Sequence, residues 1–271
     1  MHHPDPIAVT AINLFPVKSL GGIALSQAEI DQRGLRLDRA FMVVEPDGSF
    51  LTQREVPKMA LVEVEVLSFE TGSIALSAPG MEPITIAGSG GETPATSVTV
   101  WGDACKAIDQ GDEAGAWLST FLGRDCRLVR MADSHRRPVR HEGEERNIIG
   151  FQDGYPLLII SEASLRDLNK RLPEPVLMNR FRPNIVIGGC RPFQEDSLKS
   201  IRIGSIRFDL LEPCARCTVT TIDQATAGRG KEPLRTLSSY RQKDNKVLFG
   251  MNAVHRDTGV VKVGDLVEIM Q

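Results

Sequence analysis

The chain has 271 residues, 41% of them hydrophobic and 25% charged, with a formal net charge of −3. That fits one large or two small globular domains with a substantial core. So mild a charge gives no reason to expect nucleic acid or an anionic membrane as a partner. There is no apolar run of about 18 residues to suggest a membrane span, and Met1–Pro6 lacks the charged and apolar segments of a secretory leader.

In chain order, the first pattern is a strand over residues 7–17 that ends at Pro16, then a Lys18–Gly22 turn, a strand from Leu25 to Ile30 and another from Ala40 to Glu45. Pro46-Asp47-Gly48-Ser49 is a hairpin signal. Leu61–Leu67 alternates apolar and acidic residues, as a half-buried strand does. Further short strands are expected at 74–76, 84–86 and 97–101, so residues 7 to about 108 read as a small barrel or sandwich.

Helix enters at Asp112-Glu113, whose charges suit a helix N-terminus, and closes at Gly123. A strand follows from Cys126 to Met131. The polar stretch 133–147, with His135 and His141, is expected to be a mobile loop or lid. Leu157–Ile160 is a buried strand, Ser161 an N-cap, and Glu162–Leu172 a helix ended by Pro173 and Pro175. Ile185–Ile187, Ser200–Ile203 and Ile206–Leu211 read as strands, Pro233–Tyr240 as a short helix, and Val260–Ile269 as a closing hairpin around Gly264-Asp265.

Chemistry concentrates in Pro213-Cys214-Ala215-Arg216-Cys217, between Ile206–Leu211 and the β-branched run Thr218–Ile222, itself read as a strand. Arg216 beside the thiols favours a thiolate, which is a nucleophile or a soft metal ligand. Buried, inert cysteines are the plainer reading, but a buried arginine between them needs an anionic partner. A structural zinc site wants a second ligand pair, and a thioredoxin-like pair wants a following helix, which Thr218–Thr221 disfavours. With five cysteines, an odd number and mostly far apart, a disulfide framework is not expected and a reducing, cytoplasmic location is. Lys18, Ser19, Arg39, Arg182, Asn184 and Arg216 all lie near strand ends or turns; if they converge, they form an anion cradle.

Cys214–Asp223, with Lys231–Leu237, Tyr240-Arg241, Phe181–Val186 and Ser161–Leu165, resembles the signature of the MOSC family, named for the C-terminal domain of molybdenum cofactor sulfurase. Phe15–Ser19, Leu37–Arg39 and Thr52–Arg54 resemble the N-terminal β-barrel domain that precedes it in the group containing the mitochondrial amidoxime-reducing component and its bacterial counterparts. The resemblance implies a mainly β (α+β) fold, with a β-barrel-like domain over residues 1–110 and a MOSC β-barrel with flanking helices over 111–271.

It also implies a molybdenum–molybdopterin cofactor with Cys217 as the protein's ligand to the metal. Lys18, Ser19, Arg39, Arg182, Asn184, Ala215, Arg216, Cys217 and Asn252 would contact the cofactor, and Asp223 would act beside Cys217 in catalysis or hold a turn. The implied activity is reduction of N-hydroxylated substrates: amidoximes, hydroxylamines and N-hydroxylated bases. Some bacterial relatives carry a C-terminal iron–sulfur domain. No cysteine follows Cys217 here, so a separate ferredoxin-, flavin- or haem-type protein is the expected electron donor. The alternative is a cofactor or sulfur carrier with a persulfide on Cys217.

Overall fold

The computed structural model of the chain describes residues 6–88 and 95–270. β1 (Ala8–Leu14) buries Val9, Ile12 and Leu14 and pairs with β2 (Ile23–Leu25). β3 (Gln27–Asp31) and β4 (Gly34–Leu35) form a hairpin. β5 (Phe41–Val44) is buried along its whole length, as its unbroken apolar sequence predicts. β6 (Glu63–Ser68), β7 (Ser73–Ala78) and β8 (Met81–Ile86) make a three-stranded meander.

β9 (Thr96–Val100) and β10 (Asp103–Asp109) are joined by Trp101-Gly102, both at positive φ (51° and 83°), the twist that suits a two-residue hairpin. α1 (Asp112–Leu122) ends on left-handed Gly123, and β11 (Arg127–Met131) runs between β5 and β10. Val17, Leu51, Met59, Leu118 and Phe121 fill the core shared by these elements.

The two-residue strands β12 (Arg137–Pro138) and β13 (Ile148–Ile149) pair across the polar stretch. β14 (Leu157–Ser161), α2 (Glu162–Asn169) and β15 (Ile185–Gly188) are a βαβ unit with parallel strands. Ser161 caps α2 as expected, its Oγ accepting from the Ser164 amide at 3.1 Å. β16 (Ser200–Ile203), β17 (Ile206–Ala215), α3 (Leu234–Ser238), β18 (Gln242–Lys243), β19 (Lys246–His255), β20 (Gly259–Lys262) and β21 (Val267–Met270) complete the chain. The large sheet runs β2-β1-β15-β14-β19-β17-β16-β21, with β18 on β19. The fold is thus mainly β with a few helices, as expected. The N-terminal strand β1 lies inside the sheet built by the C-terminal half, against β15.

Four local expectations give way. β17 continues through Pro213 and Cys214, because register shifts after Leu210 and Pro213 leave room for a residue without an amide proton. Thr218–Thr221 is a 3₁₀ turn, not a strand: the Thr220 and Thr221 hydroxyls donate back to the carbonyls of Cys217 (2.9 Å) and Thr218 (2.7 Å). β20 and β21 do not pair with each other; β20 joins β3, β21 joins β16, and Gly264-Asp265 between them hydrogen-bonds the backbone of Val9. The 133–147 stretch is anchored, with Arg137 buried and Glu144 held bidentately by Arg256 at 2.6 and 2.7 Å. Among the described residues no helix is long and apolar enough to cross a membrane.

Candidate functional site

Three basic turns and the end of β17 face one cleft of about 870 Å³, its open mouth included, within the size range of small-molecule sites. The first turn follows β1. Lys18 is buried, and its Nζ donates to the Phe151 carbonyl at 2.8 Å and pairs with Asp153. Burial lowers the Lys18 pKa against the pull of Asp153, while the Lys18 charge holds the Asp153 carboxyl below the usual carboxylate range in spite of desolvation. Ser19 sits at φ 68°.

The second turn, Leu37-Asp38-Arg39, places Leu37 and Arg39 at positive φ. Buried Asp38 accepts from the Phe15 amide at 3.0 Å and from Arg39 Nη1 at 2.5 Å. The third turn has Arg182 at φ 54° ahead of Pro183. Arg182 Nη1 donates to the Leu20 carbonyl at 2.6 Å, and Arg39 Nη2 donates to the Arg182 carbonyl at 3.2 Å. Both guanidinium groups lie over the Phe15 ring, at 4.4 and 4.1 Å from its centroid. Three non-glycine residues of the cleft wall thus hold a backbone conformation worth roughly 1–3 kcal/mol of strain each.

Asn184 locks these turns to the sheet. Its Oδ1 accepts from the Leu158 backbone amide (3.2 Å) and from Arg39 (3.4 Å), and its backbone N–H donates to the Leu158 carbonyl at 2.9 Å. Asn252 reaches the same cleft from β19, beside Leu158. At the end of β17, Ala215 and Arg216 line the cleft between the two cysteines. The arginine serves only one of the two thiols that flank it. Arg216 Nη1 donates to Cys214 Sγ at 3.0 Å and Nη2 to the Phe181 carbonyl at 2.6 Å, whereas exposed Cys217 has Arg54 Nη1 beside it at 3.9 Å. Burial pushes the Cys214 thiol up, with Arg216 opposing.

The cleft therefore gathers Lys18, Ser19, Arg39, Arg182, Asn184 and the residues from Cys214 to Cys217, together with Asn252. Asp223 is not among its lining residues: its carboxylate accepts from Arg180 at 2.7 Å and from the Ala225 and Thr226 amides of its own turn. Arg54, Gln152, Asp153 and Tyr155 line the cleft without having been singled out as site residues. Only the Thr52-Gln53-Arg54 turn was visible as a motif.

The walls carry more positive charge than they neutralise. Burial, reinforced by the charge of Arg39, pushes the Arg182 guanidinium down to about 9. Arg182 Nη2 and Arg216 Nε are buried with no hydrogen-bond partner among the described residues, a costly arrangement unless an anion completes it. A phosphate-bearing anion fits these walls. No group of three His, Cys, Asp or Glu side chains among the described residues could hold a metal ion alone.

Comparison with known proteins agrees with this architecture. Residues 7–125 match the MOSC N-terminal beta barrel domain and residues 146–268 the MOSC domain. The chain is 35% identical to human mitochondrial amidoxime-reducing component 1, over 97% of this chain and 82% of that protein. It is 33% identical to the mouse protein of the same name, with the same coverage. Among solved structures, the YUAD protein from Bacillus subtilis aligns over 98% of this chain and 97% of that one, at 10% identity and a TM-score of 0.44, too distant to bear on function.

Proposed function

The chain belongs to the MOSC family, alongside the amidoxime-reducing components, and from that premise we propose that it is a molybdenum cofactor-dependent reductase of N-hydroxylated compounds. The observation that carries this reading is the surplus of buried cationic donors facing a cleft whose mouth holds Cys217. Lys18, Ser19, Arg39, Arg182, Ala215, Arg216 and Asn252 would contact the pterin and its phosphate, with Asn184 also fixing the wall, and Cys217 would ligate the metal. When bound, the cofactor supplies the two-electron redox chemistry. The protein's part is to bind, orient and screen. Arg216 holds Cys214 and leaves Cys217 free, and the Lys18–Asp153 pair keeps a carboxylate charged at the cleft.

In the overall conversion an N–OH compound accepts two electrons and two protons, the N–O bond breaks, and the amine or amidine leaves with one water. The electrons come from a separate ferredoxin-, flavin- or haem-type protein. The five free cysteines support a reducing, cytoplasmic setting. The exposure of Cys217 supports a second reading, a sulfur carrier with a persulfide there.

The deciding measurement is molybdenum and pterin content of protein made in a host that synthesises the cofactor. About one metal per chain with pterin, and reduction of an amidoxime by a chemical donor, is the expected result. A folded protein with neither would favour the carrier, and labile sulfur on Cys217 would establish it.

A further inference from the structure

The turn Thr52-Gln53-Arg54 carries no role in the reading above, yet its backbone is held on every side. The Arg54 amide donates to Thr52 Oγ1 (3.1 Å), its carbonyl accepts from Arg229 Nη2 (2.6 Å), and the buried Gln53 side chain donates to the Ser19 carbonyl (2.8 Å) and exchanges hydrogen bonds with Gln224. The side chain is held as well. The Arg54 guanidinium lies 4.6 Å from the centroid of the Trp101 ring while its Nη1 is 3.9 Å from Cys217 Sγ. Its nearest carboxylate, Glu55, approaches only to 3.9 Å. Trp101 is in turn fixed by the positive-φ hairpin turn, by Phe50 (ring centroids 5.1 Å apart) and by a 2.8 Å hydrogen bond from its Nε1 to Asp153. A flat cation is thus stretched over an indole at the mouth of the cleft, with N–H donors left over and an edge towards Cys217.

We propose that Arg54, laid flat on Trp101, is the substrate-recognition residue of this site: a free edge N–H of its guanidinium donates to the N-hydroxyl oxygen of an amidoxime. The assignment rests on the reductase reading and adds to it the residue that recognises the substrate oxygen. Guanidinium stacks on planar groups and fixes oxygen through rigid donors, which lysine cannot reproduce. It also predicts weaker binding of the product amidine, which lacks the oxygen, so the contact helps release product.

The test has two parts. In a Trp117→Phe background Trp101 is the sole tryptophan, and its fluorescence is titrated in cofactor-loaded, oxidised protein with benzamidoxime and with benzamidine. Benzamidoxime should perturb the emission and bind about tenfold more tightly, about the strength of one hydrogen bond to a charged group. In parallel, Arg54→Gln should raise KM for benzamidoxime about 10–100-fold with molybdenum content unchanged, and Arg54→Lys should restore only part of the loss. An unaltered KM in Arg54→Gln, or equal affinity for the two ligands, overturns the assignment while leaving the reductase reading intact. Loss of molybdenum in Arg54→Gln would make Arg54 a cofactor ligand and overturn it too. A fully loaded wild-type protein that neither binds nor reduces benzamidoxime overturns both.

Discussion

Arg182 keeps its charge where burial works against it, and pH reveals the cost. Its folded pKa near 9 lies below the ordinary arginine value of 12.5. Between those values the unfolded chain binds the proton and the folded one does not, so this group's share of stability rises with pH through that window and is lowest below it. A bound anion reverses the balance by favouring the charged form. Lys18, also lowered by burial, shifts in the same direction. Inorganic phosphate should therefore raise the melting temperature of cofactor-free protein at pH 7.5 and by clearly less at pH 10; an equal rise at both would remove these two cations as its ligands. The two cysteines make a second contrast. Cys217→Ala should abolish molybdenum retention, whereas Cys214→Ala removes only one of the two acceptors of Arg216 and should keep most of it; equal metal loss in both variants would contradict the choice of ligand.

Among the elements, β17 and β19 shape the site by departing from regularity. One residue is gained on β17 after Leu210 and one on β19 opposite Pro213–Ala215, so the shifts compensate and the cysteine end of β17 turns out over the cleft. Gly250 permits this. Its φ is 80°, and a Cβ there would come within 2.5 Å of the Ile160 side chain and 3.1 Å of the Ile159 carbonyl. Gly250→Ala should cost roughly 3 kcal/mol in urea unfolding through overpacking and backbone strain. The Arg256 clamp on Glu144 is partly exposed, so Arg256→Gln should cost only about 1–2 kcal/mol, seen as faster hydrogen exchange over 139–147. Elements with one strong local cause were legible in the sequence: the Ser161 cap, the Asp112–Gly123 helix, the apolar β5 and β14. The 3₁₀ turn after Cys217 was not, because threonine favours a strand by shape and a turn by its hydroxyl, and only the tertiary setting chooses. The positive φ of Ser19, Arg39 and Arg182 was equally invisible, since nothing local favours it. Asp153 and Trp101 gave no signal because their meaning lies in partners about 50 residues or more away.

For the molecule as a whole, the cleft is a junction. Lys18, Arg39 and Arg54 come from the first part of the chain, Arg182 and the cysteine segment from the second, and the Gln53–Gln224 pair links the two rims. Spacing in the sequence cannot show that the basic turns converge; the family resemblance implies it, and the fold brings them to one cleft. A ligand that bridges such rims stabilises only the folded state. At about a thousandfold over its dissociation constant that amounts to about 4 kcal/mol, so loaded protein should melt on the order of 10 °C above cofactor-free protein. Identical melting curves would mean that the cleft holds no tightly bound group.

The place of β1 also sets a timetable. Ala8 pairs with Gly188 and Ile12 with Ile185, so the strand that leads to Lys18 leaves the ribosome long before its partner exists. At about 5–20 residues per second, synthesis of the intervening chain takes on the order of 10–40 s, and through that time β1 has only β2 beside it. The cradle is thus a late product of biosynthesis, and a nascent chain interrupted before residue 185 has no means of holding a cofactor.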